Sequence, residues 1–596
     1  MKSTVIGLAA VASLSVLIAG CGSTSNSSSQ TYAFTTVDEN HGITVGAPLN
    51  PFNSNGNNWI GFDQMQLAWF TNSATNPNSF LPGLAKKWQV LNGGTTVDVW
   101  LQPNAKWSNG KPVTSQDVKA SMAAAFTQGS AQSFYLGSVK IISPTEIQFN
   151  QVPGQHYKLF LNNLLQQDIV PAFEYNPVMG PNIWNIITTS QGTGAAATAA
   201  QTKLTNIGKT VATYAPKTDI SAGPYTMKSL NPGEALLVKN PDYYAASNIH
   251  VNKVVVRNYT GNQQIWNYLI GGQLDFGPFT AMPTTVFHQI LAKKGNVETI
   301  TPAYVGAALA FNQGIYPYGM PQVRKALAHV INRQSVQKVA EPIVGTASKY
   351  SDGMIDSATS AWLTPSQIAQ LRPYNPSLTK ATKELTQAGF HKVNGQWMMP
   401  NGKPWTATIY TVNGFSDWIE AAKVISSEMT AFGIPTQPSI VSSYSQYLKE
   451  LALDKYAIGF WLNALGPEAY PTYQRVYGPN DGYQLVGGHL VHYPYSNKQQ
   501  GNWLDAPSTV KLANGSVVNP GKLTNELNSL PPSQQKPIVN ELAQAVNQSL
   551  PMITLWNYIN VQFVNTSRFT DFPLHNTALL SNPVGVWMTY GYVKPK

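Results

Sequence analysis

Residues 84–118 read LAKKWQVLNGGTTVDVWLQPNAKWSNGKPVTSQDV. Within this stretch apolar residues alternate from Thr95 to Leu101, with Val97, Val99 and Leu101 on one face, the pattern of a half-buried strand. Asn109-Gly110 is a turn signal. Thr114, followed three residues later by Asp117, has the form of a capping box. Behind it Val118, Met122 and Phe126 fall at helical spacing. Strand, turn and capped helix in 35 residues make the chain a mixed α/β protein.

The same mixture continues outward with no simple repeat. Residues 252–258 (NKVVVRN) read as a second strand. Pro321 opens a helix whose stripe is Val323, Ala326, Leu327, Val330 and Ile331. Arg324 and Arg333 are read as lying on its polar face, in structural ion pairs. Further helices are predicted at 377–388, closed by Gly389, at 417–432, closed by Gly433, and at 533–549. Residues 189–213, rich in Ala, Thr, Gly and Gln, read as a low-complexity surface insertion with a loose Ala-rich helix. Trp88, Trp100 and Trp107 are assigned to core or turn packing.

The 596 residues provide for about four domain-sized units, and 11% aromatic residues supply large cores. Only 11% are charged, well below the usual ~25%. The excess of 38 Lys+Arg over 28 Asp+Glu gives +10, spread thinly, so nucleic acid is not an expected partner. Few carboxylates would suit an acidic medium.

The one cysteine is Cys21. Lys2, an apolar stretch from Val5 to Ala19, and the small residues Ala19 and Gly20 before it read as an export signal over 1–20. Leu17-Ile18-Ala19-Gly20-Cys21 resembles a bacterial lipobox, which implies cleavage after Gly20 and lipid attachment at Cys21. Residues 21–30 then form a flexible tether holding a large body at the outer face of the cell membrane, at the cell surface or in the periplasm.

Five stretches in order carry a wider resemblance: 84–118, 222–244 (AGPYTMKSLNPGEALLVKNPDYY), 253–276 ending in GGQLDF, 310–333 (AFNQGIYPYGMPQVRKALAHVINR) and 382–390 (TKELTQAGF). They resemble the oligopeptide/dipeptide-binding family of solute-binding proteins that serve ABC importers. The resemblance implies a two-lobed periplasmic-binding-protein-like clamp with an extra α/β subdomain in its first lobe. It divides the mature chain into 31–60 (first segment of lobe I), 61–215 (inserted subdomain), 216–303 (middle segment), 304–560 (lobe II) and 561–596 (C-terminal segment of lobe I). It also implies a monomer that closes on a solute and delivers it to the transmembrane subunits of an ABC permease, with no cofactor.

The pocket departs from the family. In peptide-binding members a Trp is followed three positions on by an Asp that receives the peptide ammonium. Here Trp461 matches, but the Asp position is Ala464. Asn463 and Glu468 flank it, and Glu468 is a replacement only if the loop is displaced. Tyr444, Asn53 and Trp59 complete the candidate ligand-binding set. Oligopeptide is the first expectation. Oligosaccharide is the alternative, since aromatic faces stack on sugar rings and Asn both donates to and accepts from hydroxyls.

An extracellular hydrolase is the other class weighed. The sequence has no G-x-S-x-G and no H-E-x-x-H. Gly192-Thr193-Gly194 lacks the rest of a phosphate loop. His489 and His492 have no neighbouring carboxylate, so neither catalytic residues nor a metal site is expected.

Overall fold

The computed structural model describes residues 32–596 apart from 39–42, 54–55, 72–78, 134, 158, 279, 465, 467, 478–483, 487–488, 492–503 and 531. The signal, Cys21, the tether and His492 lie outside the described residues.

Two long antiparallel strands, Asn296–Phe311 and Met552–Asn565, form the ribbon on which everything else is mounted. Their register runs from Asn296↔Asn565 to Pro302↔Ile559, breaks, and resumes at Gly306↔Asn557. At the break Tyr304 takes φ 50°, a left-handed conformation that only surrounding structure can hold in a side-chain-bearing residue.

Beyond the break, on the second-lobe side, Ile458–Leu462 pairs with the first ribbon strand. Ala407–Val412 and Thr436–Val441 extend the sheet in parallel, and Gly345–Ala347 pairs with the other ribbon strand. The parallel pair is linked by the helix Ser416–Phe432, which ends at Gly433 in the left-handed conformation, φ 101°.

On the first-lobe side Phe276–Gly277 joins the ribbon, beside a four-stranded sheet in the order Phe34–Val37, Lys253–Arg257, Glu234–Lys239, Tyr225–Leu230. A second four-stranded antiparallel sheet (Ala85–Leu91, Thr96–Leu101, Glu146–Gln151, Leu136–Ser143) carries the stretch that opened the sequence reading. Its helix Ser115–Thr127 is held by the expected capping box, in which the Thr114 amide donates to Asp117 Oδ2 at 2.7 Å.

The first lobe is assembled from distant pieces of chain, and one buried carboxylate joins three of them. Asp275 accepts from the backbone and hydroxyl of Thr35, each at 2.8 Å, and pairs with Arg568 near the C-terminus. Nearby, Phe34 meets Phe569 edge-on at 5.2 Å, and Phe276 meets Trp587 at 5.0 Å.

Three sequence expectations are corrected. Residues 195–213 are not loose: Ala195–Thr213 is a regular 19-residue helix that buries Ala197, Ala200, Leu204, Gly208 and Val211. Its small residues permit close packing. A Cβ on Gly208 would stand 2.3 Å from the Thr127 carbonyl oxygen. Arg324 is buried and makes no ion pair among the described residues; its guanidinium donates to the carbonyls of Tyr318, Ser549 and Leu550. Arg333 is likewise buried and donates to the Pro373 carbonyl. For Arg324 the end of the helix Pro532–Ser549 supplies carbonyls that make a buried guanidinium tolerable, and Arg333 is also favoured by the nearby Asp356 charge. Of the three tryptophans, Trp107 is fully buried, whereas Trp88 and Trp100 are half-buried: Trp88 meets Phe80 edge-on and Trp100 lies under Lys87.

Candidate functional site

A cavity of about 580 Å³ opens where the ribbon passes from one lobe to the other, within the range of small-ligand sites. The first lobe contributes Tyr259, Asn262, Phe276, Gln562 and Asn582 to its wall. The second contributes Phe415, Asp417, Trp418, Tyr444, Leu462 and Tyr558. Ala303 and Val305, on either side of Tyr304, also line it, so the register break of the ribbon is part of the site.

Local structure explains how the second-lobe wall is built. The turn Asn413-Gly414 feeds the helix Ser416–Phe432, whose first turn carries Asp417 and Trp418. Trp418 stacks on Phe460 at 5.5 Å, and Phe415 stacks on Tyr444 at 5.3 Å. Trp418 Nε1 donates to the Tyr558 hydroxyl at 3.1 Å, and that hydroxyl donates to Asp417 Oδ2 at 2.5 Å. Asp417 is 5% exposed, and burial pushes its carboxyl up to about 6, opposed by the Tyr558 hydrogen bond. Behind it Glu341 is fully buried, and burial, then the Asp417 charge, pushes its carboxyl well above the usual range.

The lobes touch beside this wall. Asn262 Nδ2 donates to Ser416 Oγ at 3.0 Å. A Cβ on Gly261, at φ 148°, would stand 3.3 Å from Gly414 Cα. A second contact brings Tyr157 of the inserted subdomain edge-on to Tyr470, at 5.9 Å. Both contacts join the two lobes.

Of the residues expected at the ligand, Tyr444 stands on the cavity wall, 40% exposed. Trp461 and Asn463 flank Leu462, which faces the cavity, and strand alternation turns them to the opposite side. There Trp461 lies under the guanidinium of Arg475, 4.3 Å from its ring centroid. Asn463 is buried and donates to the Gly353 carbonyl at 3.0 Å. Glu468 is half-buried, directly before the helix Ala469–Tyr477, and is not among the described lining residues. Asn53 and Trp59 sit elsewhere in the first lobe. Asn53 donates to the Ala212 carbonyl at 2.7 Å, and Trp59 is a core residue whose backbone N–H donates to Asp63 at 2.6 Å. Phe415, Asp417, Trp418 and Tyr558 were not foreseen. Their one local signal is an acidic residue between two aromatics at a helix start, in Phe415-Ser416-Asp417-Trp418.

Two lobes joined by a two-stranded ribbon, with a solute-sized cavity at the crossing, define a periplasmic-binding-protein-like clamp. The sequence agrees: residues 79–484, more than half of the chain, match the model of bacterial extracellular solute-binding proteins, family 5, and the chain belongs to that family. The oligopeptide-binding protein OppA of Bacillus subtilis is 24% identical over 273 residues, covering 43% of this chain and 45% of OppA. The chain spans about half the length of the curated relatives it matches. Among solved structures, the periplasmic oligopeptide-binding protein of Thermotoga maritima bound to mannohexaose superposes with a TM-score of 0.69 at 19% identity, covering 95% of this chain and 98% of that one. AppA of Bacillus subtilis in complex with a nonapeptide gives 0.68 at 15% identity, covering 95% and 99%. These likenesses establish the fold. Family members are extracellular solute-binding proteins.

Proposed function

We propose that the chain is the lipid-anchored, monomeric solute receptor of an ABC importer: it captures an oligopeptide between its lobes and hands it to the transmembrane subunits of the permease. The observation that carries this reading is the cavity at the ribbon crossing, walled by both lobes. A solute there touches both lobes only when they are closed, so its binding energy favours the closed form. A permease can then tell loaded from empty protein by shape. The peptide assignment rests on the relationship to OppA and on amide-bearing walls that match a peptide backbone. The anchor rests on the lipobox-like string ending at Cys21.

Oligosaccharide is the second reading. It is favoured by the aromatic faces of Phe415 and Tyr444 beside Asn262, Asn560 and Gln562. Native mass spectrometry of freshly purified protein separates the two through the mass of a co-purified ligand. A mass series of hexose units would replace the peptide reading. Small-angle scattering tests the clamp: stripping that ligand should give a less compact particle, and an unchanged one would remove the closure step. The anchor predicts that Cys21→Ala leaves the membrane fraction or stays unprocessed; equal retention of the variant would exclude lipidation at this residue.

A further inference from the structure

The cavity has an asymmetry of charge. Its described lining residues include one carboxylate, Asp417, and no Lys, Arg or His. The cation that Tyr444 senses from nearby is Arg475, and this group is engaged by the Leu462 carbonyl at 2.9 Å and the Trp461 ring. The groups that sense Asp417 from the elements packed around it are Tyr558, Glu341 and Tyr259, all neutral or acidic.

We propose that the cleft selects its solutes by charge, with Asp417 receiving a protonated amine or guanidinium carried by the ligand. The proposal rests on the reading of this cavity as the ligand site and goes further by naming the ligand's chemistry. A cation entering the cavity is stripped of water and needs a partner, which Asp417 supplies. Tyr444 and Phe415 line the same cavity and offer π faces to that cation. An anionic ligand would meet Asp417 with no described lining residue to neutralise it, a repulsive element that builds discrimination as effectively as attraction does. The position is not the one the family pattern would use: Ala464 is buried and carries no charge, whereas Asp417 comes from the start of a helix 47 residues earlier in the chain. Burial, which holds the Asp417 carboxyl near 6, adds a consequence. A bound cation favours the carboxylate, so binding releases protons and the preference for cations grows as pH rises from 5 to 7.

The test uses the whole mature protein and probes whose ends carry no charge. Three pentapeptides of alanine, bearing two lysines, two glutamines or two glutamates, are acetylated and amidated, and their affinities are compared by calorimetry. A second pair, a glucosamine hexamer and its N-acetylated counterpart, asks the same question of a sugar. The wild type should take the lysine peptide about tenfold or more tighter than the glutamine peptide, and the glutamate peptide weakest. Asp417→Asn should bring the lysine and glutamine peptides to within about twofold, and Asp417→Glu should keep the preference. The melting temperature of each variant guards against misfolding, and the rise of the preference from pH 5 to 7 should vanish in Asp417→Asn. A cation preference seen in the glucosamine pair alone would retire the peptide reading and leave the role of Asp417 standing. Equal binding of lysine and glutamine peptides by the wild type would overturn the proposal while leaving the peptide reading intact. A preference that survives in Asp417→Asn, or binding of neither cationic probe, would also overturn the proposal.

Discussion

The Asn-rich segment of the first lobe and the wall of the inter-lobe cavity are made of the same materials: amides, aromatic rings and buried carboxyls. They use them differently. In the first lobe the amides are spent internally. Asn50 donates to the carbonyls of Val211 and Tyr214 at 2.7 and 3.0 Å and accepts from the Tyr175 hydroxyl at 2.9 Å, while Asn53 donates to Ala212. Those bonds fasten the end of the helix Ala195–Thr213, whose last carbonyls have no partners within the helix itself. At the cavity, Tyr444 shows 40% of its surface beside a space of about 580 Å³. Residue type alone therefore does not mark a ligand site. What separates the two regions is an aromatic ring left open beside a cavity.

The largest expected effect concerns the acids of the two regions. Burial pushes Asp168 and Asp219 in the first lobe up to about 6, and Asp352 in the second up to about 7. Asp63 is also raised, by burial and then by the Asp219 charge. In the unfolded chain these groups titrate near 3.9. Below that pH both states are protonated and there is no penalty. As pH rises from about 4 to 7 the unfolded chain ionises first, and the folded protein loses stability. Asp168, Asp219 and Asp352 each weigh on the order of 3 kcal/mol, and the carboxylates held below their usual range, Glu450 and Asp571, are exposed ones that offset little. Denaturant unfolding should therefore show several kcal/mol more stability at pH 4.5 than at pH 7.5. A flat or opposite profile would mean that these acids are not buried as described. The part of the profile set by the first-lobe acids should be the same with and without ligand, and loading should change it only where Asp417 titrates, near pH 6.

A substitution sharpens the contrast next. Asn50→Ala removes four hydrogen bonds, including that from the Phe52 amide at 3.0 Å, and takes the amide donor from the buried Val211 carbonyl and the part-buried Tyr214 carbonyl. It should cost about 3 kcal/mol of stability. The ligand Kd should stay within about twofold, since additivity holds for sites that share no partners. A large loss of affinity at unchanged stability would place the Asn-rich segment at the ligand and break the comparison.

How far the sequence reaches follows from how local each cause is. The capping box at Thr114, the strand Thr96–Leu101 and the helix stop at Gly433 are set by neighbours within a few positions, and the structure has them where the pattern puts them. The two-lobed fold was legible only through resemblance, because its ribbon pairs Asn296 with Asn565 across most of the second lobe. Arg324 looked like a surface residue because a helical pattern cannot show that Ser549 and Leu550 will bring their carbonyls to it. The site was hardest. Tyr259, Asp417 and Tyr558 meet from three distant segments, and nothing near Asp417 reports the other two. Trp461 was placed in the right strand, but one residue of pleat decides which face it serves, and that face belongs to Arg475.

Tyr444 gives the smallest and cleanest effect. It is 40% exposed and stacks on Phe415 at an interplanar angle of 26°, so the folded protein has little invested in it. Truncation to alanine exposes one face of Phe415 and removes one wall of the cavity, and should leave the melting temperature nearly unchanged. The ligand, whether peptide or sugar, loses a stacking face worth about 0.5–1.5 kcal/mol, a loss of affinity of roughly two- to tenfold. Tyr444→Phe should bind as the wild type does if the ring alone matters, and as Tyr444→Ala does if the hydroxyl carries the contact. The first-lobe Trp59 is the control: it is a core residue, and its truncation should lower stability by about 3–5 kcal/mol while the affinity of the surviving folded fraction holds. If Trp59→Ala weakened binding and Tyr444→Ala did not, the ligand would lie in the first lobe, and the inter-lobe cavity would be a hinge space and not a site.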